Sequence, residues 1–307
     1  MISIIVPNYN HKKFLPQRLN TIFNQTFQDF EVILLDDCST DDSWEYLKEY
    51  EHHPKVSHCI RNEINSGSPF KQWKKGLELA KYDWIWIAES DDCSDLSFLD
   101  KMVFNIETSL SLIFCKSDYI NEFGSRPQND LIDYLDKNFK LDDVGFVKKG
   151  VEFIREFLLF KNYILNSSSV LFRKPKYFPE VVLEMKFCGD WYFWIFILSS
   201  GSIKYLPNPL NKFRFHHRTT RGFIGLKNEE MRFLEFFKCI NFGLYTAKEK
   251  TLNVFADNQF EDLVKEYFKI RMKLGRKNLR TIIPKIPFFV YPIYYRYYLT
   301  SLFGVKF

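Results

Sequence analysis

The sequence predicts an α/β fold, a mostly parallel sheet covered by helices, followed by a C-terminal helical and aromatic appendage. Three observations lead there. Short apolar runs of strand length alternate with helical patterns through the first half of the chain. Polar residues gather where the predicted strands end. From residue 226 onward the pattern turns helical.

The elements follow in order. Residues 2–6 read as a buried strand, residues 14–25 as a helix, residues 30–35 as the next strand and residues 43–50 as the next helix. A strand over 56–60, a helix over 70–80 and a strand over 84–88 continue the alternation. Residues 112–115 add a strand. Then come a helix over 151–160, a strand over 168–172, a helix over 190–199 and a strand over 203–206. Phe233, Phe236, Phe237, Ile240 and Leu244 then form an apolar stripe at helical spacing, which suits packing rather than a cofactor box. No internal repeat and no low-complexity segment interrupts the series. A boundary is expected near 222. A first unit over 1–222 would divide near 115 and 116 into two halves, and a helical region over 223–307 would carry a basic aromatic tail.

With 307 residues and 46% apolar side chains the chain can bury a large core. The net charge of +5 is uneven: residues 261–307 hold ten Lys/Arg against three Asp/Glu, leaving the body near neutrality. A basic tail points to an anionic surface such as lipid headgroups or nucleic acid. The tail contains no nucleic-acid recognition module, so nucleic acid is not expected as a partner. The six cysteines have neither metal-ligand nor disulfide-scaffold spacing, which fits separate buried thiols in a reducing compartment. The first apolar run is too short for a leader, and Pro287, Pro292 and Arg296 interrupt the best membrane-span candidate, residues 286–305. The expected location is the cytoplasm, with peripheral attachment to the inner face of the membrane as its variant.

Chemistry concentrates at four places. Glu89, Ser90, Asp91 and Asp92 end a predicted strand, and three acids so close are costly unless a cation neutralises them. Hard oxygen ligands suit Mg²⁺ or Mn²⁺; the alternative is a solvated acidic loop. Asp36 and Asp37 end another strand, ahead of the segment where Ser39 or Asp41 could cap a helix. Gly189 and Asp190 precede the apolar run Trp191, Tyr192, Phe193, Trp194, which suits either a helix cap or a general base against an apolar wall. Arg214, His216, His217, Arg218 and Arg221 make a cationic loop that could hold a diphosphate, with His216 a candidate metal ligand, or simply be solvated. The chain has no phosphate-binding Gly-x-x-x-x-Gly-Lys-Ser/Thr loop, no dinucleotide Gly-x-Gly-x-x-Gly and no Gly-x-Ser-x-Gly elbow.

Taken in order, these clusters resemble glycosyltransferase family 2, the inverting enzymes of GT-A fold, of the bacterial polysaccharide type. The opening run Ile-Ile-Val-Pro-Asn-Tyr-Asn over residues 4–10 resembles the family's first strand and loop. The stretch from Asn24 through Glu31 to Asp37 resembles the approach to its nucleobase-binding acid. Glu89, Ser90 and Asp91 stand at its Asp-x-Asp position, with Glu where Asp is usual. Gly189, Asp190 and Trp191 stand at its base position, and Arg214, Phe215 and His216 at its late Arg/His loop. The likeness covers about the first 220 residues.

The resemblance implies a transfer from a nucleotide-sugar, uridine diphosphate by default, to a saccharide hydroxyl, with a lipid-linked saccharide as candidate acceptor. Asp37 would contact the base, with Pro7 and Tyr9 lining its pocket. Glu89 would reach a ribose hydroxyl or a metal-bound water. Asp91 would ligate Mn²⁺ or Mg²⁺ beside Asp92 and His216. Arg214 and His216 would steady the departing diphosphate, and Asp190 would be the general base. Two rivals stand beside this reading. A sugar-phosphate nucleotidyltransferase would need a Gly-rich loop where Asn8–His11 stand. A non-catalytic membrane-associated scaffold of the same fold would not need Asp91 and Asp190.

Overall fold

The computed structural model describes residues 1–128, 130–141, 143–216, 225–248, 254–274 and 295–299. Its first half follows the expected alternation. Strand β1 (Ile2–Asn8) is followed by helix α1 (Leu15–Phe23), β2 (Phe30–Asp36), α2 (Ser43–Lys48), β3 (Val56–Arg61), α3 (Pro69–Leu79) and β4 (Trp84–Ile87). Helices α1 and α3 each begin with proline in the first turn, where the missing N–H costs nothing. β1 pairs in parallel with β2 and with β4, and β2 with β3.

The two central strands are buried on both sides, as their near-continuous apolar runs require. Ile5, Ile33 and Leu35 face one core with α3, and Ile4, Val6, Val32 and Leu34 face the other with α1. The sheet is therefore the middle layer of three.

The second half departs from the expected series in detail. The two-residue strand β5 (Cys93–Ser94), α4 (Phe98–Phe104), β6 (Leu110–Asn121), α5 (Asp130–Asn138) and β7 (Phe146–Lys149) come first. β5, α4, α5 and β7 are too short or too weakly patterned to show in the sequence. The helix expected over 151–160 is a single α-turn, α6 (Gly150–Phe153), that continues as a π-helical segment, Ile154–Leu158. Strand β8 (Val170–Arg173), helix α7 (Gly189–Leu198) and strand β9 (Ser202–Phe215) complete the sheet. Its order is β3-β2-β1-β4-β8-β6-β9-β5, with β7 also on β9. β8 runs antiparallel between β4 and β6, while β9 lies parallel to β6. A parallel first half thus joins a mixed second half through β8. β9 is much longer than the strand expected over 203–206, and its register against β6 shifts near Cys115–Ser117. Arg214 and Phe215 therefore belong to a strand and not to a loop.

Helix α7 is apolar all round because it is covered all round. Trp191, Phe193, Trp194, Ile195, Ile197 and Leu198 are buried. Helix α8 (Leu226–Ala247) packs on it, and α9 (Val254–Leu274) packs on α8. Phe237, Ile240 and Leu244 of the expected stripe, with Phe260, Val264, Tyr267 and Phe268, join the same core as Ile5 and Leu35. The boundary expected near 222 falls among residues 217–224, outside the described residues, and the helices after it share the core of what precedes them.

Of the tail beyond residue 274, only residues 295–299 are described. Tyr297 is buried in the main core, and its hydroxyl donates to Glu261 at 2.6 Å. Of the other aromatics expected in the tail, Tyr298 packs partly buried on that core and Tyr295 is exposed, while Phe288, Phe289, Tyr291, Tyr294 and Phe303, and the basic Arg276, Lys277 and Arg280, lie outside the described residues. Among the described residues no helix is long and apolar enough to cross a membrane. All six cysteines are free thiols, four of them buried.

Candidate active site

The site lies beyond the carboxyl ends of β1, β2 and β4, where a cavity of about 910 Å³ opens. Asn8, the last residue of β1, donates to Asp36 at 2.9 Å and to Ser39 at 3.1 Å. Asp36 also accepts the Ser39 N–H at 2.9 Å and lies 3.6 Å from Arg61 of β3. It is a fully buried pin that ties three strand ends together. The neighbouring Asp37 accepts from Asn62 at 2.7 Å, the Ser66 N–H at 2.9 Å, the Ser66 hydroxyl at 2.7 Å and Gln72 at 2.8 Å. Three of the four donors converge on Oδ1 and one takes Oδ2, which keeps room for a further donor. Asp37 lines the cavity and holds the 62–72 segment that forms its rim. Any nucleobase N–H would share an oxygen already in use.

The acid cluster after β4 is supported from beneath. Asp92 is buried, and its oxygens accept from Asn166 at 2.8 Å, Ser168 at 2.7 Å and the Arg214 N–H at 2.9 Å. Burial, and then the charge of Asp91, pushes its carboxyl up to about 6, with Arg18 pulling the other way. Glu89 takes the Trp73 indole N–H at 2.8 Å and the Ser167 hydroxyl at 3.3 Å. Burial and the like charge of Asp91 push it up to about 8. Asp91 behaves oppositely: burial opposes its charge but is outweighed by His11 and by the bond to His216, so its pKa falls. His216 Nε2 lies 3.0 Å from Asp91 Oδ2, and His11 Nδ1 lies 2.8 Å from the Ser90 hydroxyl. One ligand atom each from His11, Asp91 and His216 fall within 4.8 Å of one another.

Helix α7 delivers Asp190 to the same cavity. The helix is capped at Cys188, so Asp190 sits inside the first turn and is not the N-cap. Its Oδ1 accepts the Trp191 N–H at 2.7 Å, and its Oδ2 accepts from Asn162 at 3.0 Å. A carboxylate there is favoured by the positive end of the helix. Gly189 is required by close approach: a Cβ would lie 2.5 Å from the ring of Phe70 on α3. The turn before the helix is fixed by buried Glu235 of α8, which accepts the N–H groups of Lys186, Phe187 and Cys188, each at 2.8 Å.

Comparison with known proteins places this geometry. The family model described as "Glycosyl transferase family 2" matches residues 3–165. The chain belongs to glycosyl transferase family 2. An uncharacterized glycosyltransferase of Haemophilus influenzae is 25% identical over 226 residues, 72% of this chain and 67% of that protein. TarS of Staphylococcus aureus, a poly(ribitol-phosphate) beta-N-acetylglucosaminyltransferase, is 33% identical over 127 residues, 40% of this chain but only 22% of TarS. The structure of TarS 1–349 in complex with UDP-GlcNAc superposes with a TM-score of 0.58 at 15% identity, covering 99% of this chain and 90% of that one. The mannosyltransferase PcManGT of Pyrobaculum calidifontis, in complex with GDP-Man and Mn²⁺, gives 0.51 at 13% identity, covering 98% and 85%. Both structures share the GT-A fold that the sequence motifs resemble.

Within this family-2 chain, one cavity brings together Pro7, Tyr9, Asp37, Glu89, Asp91, Asp92 and Asp190. Asp190 and His216 lie beyond the residues the family model matches. Two expectations need revision. Arg214 does not face the cavity. It is buried, and its guanidinium donates to Asp91 O at 2.6 Å, Asn121 O at 2.8 Å and Gln17 Oε1 at 2.6 Å. Its position in β9 turns it inward over Phe14, so it braces the acid cluster rather than a diphosphate. Asp92, expected beside Asp91 as a metal ligand, lines the cavity but lies outside the His11, Asp91, His216 group, and three protein donors hold its oxygens. His217, Arg218 and Arg221 lie outside the described residues.

Three residues escaped the sequence reading. His11 carries no local signal, since a lone histidine after a strand is unremarkable. Glu235 had none either. Arg18 had one: it occupies the buried face of α1 with Leu15, Leu19 and Ile22, a charge inside an apolar stripe. Its guanidinium stacks 4.8 Å from the Trp86 ring, and its three nitrogens have no hydrogen-bond partner among the described residues. Burial lowers its pKa, while Asp92 and Asp91 hold it up.

Replacing Arg214 separates bracing from phosphate binding. Arg214→Lys strands several acceptors and is expected to lower unfolding stability by roughly 2–3 kcal/mol, read in urea titrations without nucleotide. Unchanged stability with weakened nucleotide binding would return Arg214 to the donor site.

Proposed function

We propose that this chain transfers a sugar from a uridine diphosphate sugar to a saccharide hydroxyl, with inversion at the anomeric carbon and a divalent metal as cofactor. The observation that carries the reading is one cavity lined by His11, Asp91 and a helix-held carboxylate, Asp190, with the buried imidazole of His216 completing a His-Asp-His group behind its wall. TarS bound to UDP-GlcNAc and PcManGT bound to GDP-Man and Mn²⁺ support the donor class and the metal.

The residues fit a divalent cation. Two imidazoles and one carboxylate can hold it, and the mixed nitrogen and oxygen set suits Mn²⁺ better than Mg²⁺, which prefers oxygen alone. A bound ion supplies positive charge for the leaving diphosphate. The lowered pKa of Asp91 keeps it ionised for that task. Lys186 adds a cation to the same wall. On the other side, the bonds from Trp191 and Asn162 fix the plane of the Asp190 carboxylate. Asp190 takes the proton of the acceptor hydroxyl as that oxygen attacks the anomeric carbon, and the carbon–oxygen bond to the diphosphate breaks. With a single base and in-line attack, the configuration inverts.

A nucleotidyltransferase finds no support, because the loop after β1 is built on Asn8 and Asn10 and lacks a glycine-rich turn. A non-catalytic scaffold would have no use for Asp190 held in this way. For the acceptor and its location, we propose a lipid-linked saccharide met at the cytoplasmic face of the membrane. The basic run that begins at Lys265 and Lys269 supports this, since each such charge contributes about 1 kcal/mol near an anionic surface.

Three measurements test these points. Asp91→Ala and His11→Ala are each expected to weaken Mn²⁺-dependent UDP binding by about tenfold or more, a loss of roughly 1.4 kcal/mol, read calorimetrically. Binding that persists in excess chelator would remove the metal. Asp190→Asn should keep UDP affinity while transfer falls about a hundredfold or more, and NMR of the wild-type product should show inverted configuration. Retained configuration would overturn the mechanism. Vesicles with anionic headgroups should sediment the full chain but not a variant with Lys265, Lys269, Lys273, Arg276, Lys277 and Arg280 replaced by Gln; equal behaviour of the two would remove the membrane placement.

A further inference from the structure

A second cavity, of about 760 Å³, lies on the far side of Asp190 from the donor cavity. The two share Leu165, Phe187, Asp190 and Phe213 in their walls. The outer wall of the second is made by α8 and α9, which lie beyond the residues matched by the family model.

Helix α9 divides its faces unusually. Phe260, Val264, Tyr267 and Phe268 enter the core. Gln259, Asp262, Leu263 and Glu266, at i, i+3, i+4 and i+7, line the cavity instead. A stripe with that spacing is one face of a helix, and here it is mainly polar. Opposite it stand Trp191, Phe233 and Phe236, with Phe236 edge-on to Trp191 at 5.6 Å and 5.5 Å from Phe233. Flat apolar rings facing carboxylate and amide acceptors suit a ring that is apolar on its faces and carries hydroxyls at its edge.

The charges narrow the choice. Lys161 and Arg232 line the cavity, Arg232 over the Phe187 ring at 4.8 Å. Asp190 and Asp262 offset them, and Glu266 is paired with Lys269. Among the described residues the chamber holds no excess of cations, which a polyphosphate chain would require.

We propose that this chamber is the acceptor subsite and that it takes an uncharged saccharide, in contrast to the poly(ribitol-phosphate) in the name of TarS. The proposal rests on the transfer reading above. α8 and α9 thereby serve as the specificity wall: the rings of α8 support a sugar face, and Gln259, Asp262 and Glu266 accept its hydroxyls. The sugar's reacting hydroxyl points through the shared opening to Asp190.

The test measures binding, so it does not depend on turnover. Methyl β-glycosides of glucose, galactose, mannose and N-acetylglucosamine, and ribitol-phosphate oligomers, are titrated by saturation-transfer NMR onto the full chain with UDP and Mn²⁺. The same series is run on the Asp262→Asn/Glu266→Gln double variant, whose changes are on exposed positions, and on Phe236→Leu. At least one glycoside is expected to bind the wild type and to weaken about tenfold in the double variant, with UDP affinity unchanged. No glycoside binding, equal binding to the variants, or preference for ribitol phosphate would each overturn the assignment. A wild-type chain that fails to bind UDP with Mn²⁺ would instead sink the transfer reading, and calorimetry of UDP alone separates the two failures.

Discussion

Glu89, Asp91 and Asp92 stand within four residues at the end of β4, where packed side chains have displaced most of the water. Like charges so close, in so little solvent, cannot all remain ionised without help. The surroundings are arranged around that constraint. Arg214 braces the backbone of Asp91 and, through its own N–H, an oxygen of Asp92. Arg18 has no hydrogen-bond partner among the described residues and acts through its field. His11 and His216 converge on Asp91 from two separate elements. The outcome is three carboxyls in different states: Asp91 pulled toward the anion, Asp92 held by bonds near the middle, and Glu89 pushed toward the neutral acid.

The turn that carries Asp190 is fixed by a different device. Glu235 reaches from α8 to the three N–H groups that open the turn before α7. Asp190 is thus positioned by a residue that enters the sequence 49 positions after Lys186. The described helices beyond residue 224, α8 and α9, share the main core with the sheet.

What could be read from the sequence follows physical rules, and so does what could not. β1, β2 and β4 announce themselves because both faces are buried and their apolar runs are nearly unbroken. Their polar ends, Asn8, Asp36 and Asp91, follow directly. Asp190 was visible because a carboxylate stood before an all-apolar helix. Arg214 looked like a loop cation because the sequence before it, Pro207 to Lys212, does not alternate; the register shifts between β6 and β9 absorb that irregularity. β5 has two residues and no pattern to show. His11 depends on a turn in which Asn10 takes a left-handed backbone, φ 57°, and such a turn brings together groups that spacing alone does not connect. Arg18 was legible in principle, since a charge on the inner face of a helix needs a reason.

The contact between Gly189 and Phe70 reaches further than its size suggests. Phe70 lines the cavity from α3, and the bare Cα of Gly189 rests against its ring at the start of α7. The spacing between α3 and the turn that carries Asp190 is therefore a packing distance, set by the thickness of one aromatic ring. Loops elsewhere can drift without changing it. Spreading the two helices apart would open a void in the core. A wider cavity must therefore be made elsewhere in its lining, as at Tyr9 and Asn65, while the position of Asp190 stays constant.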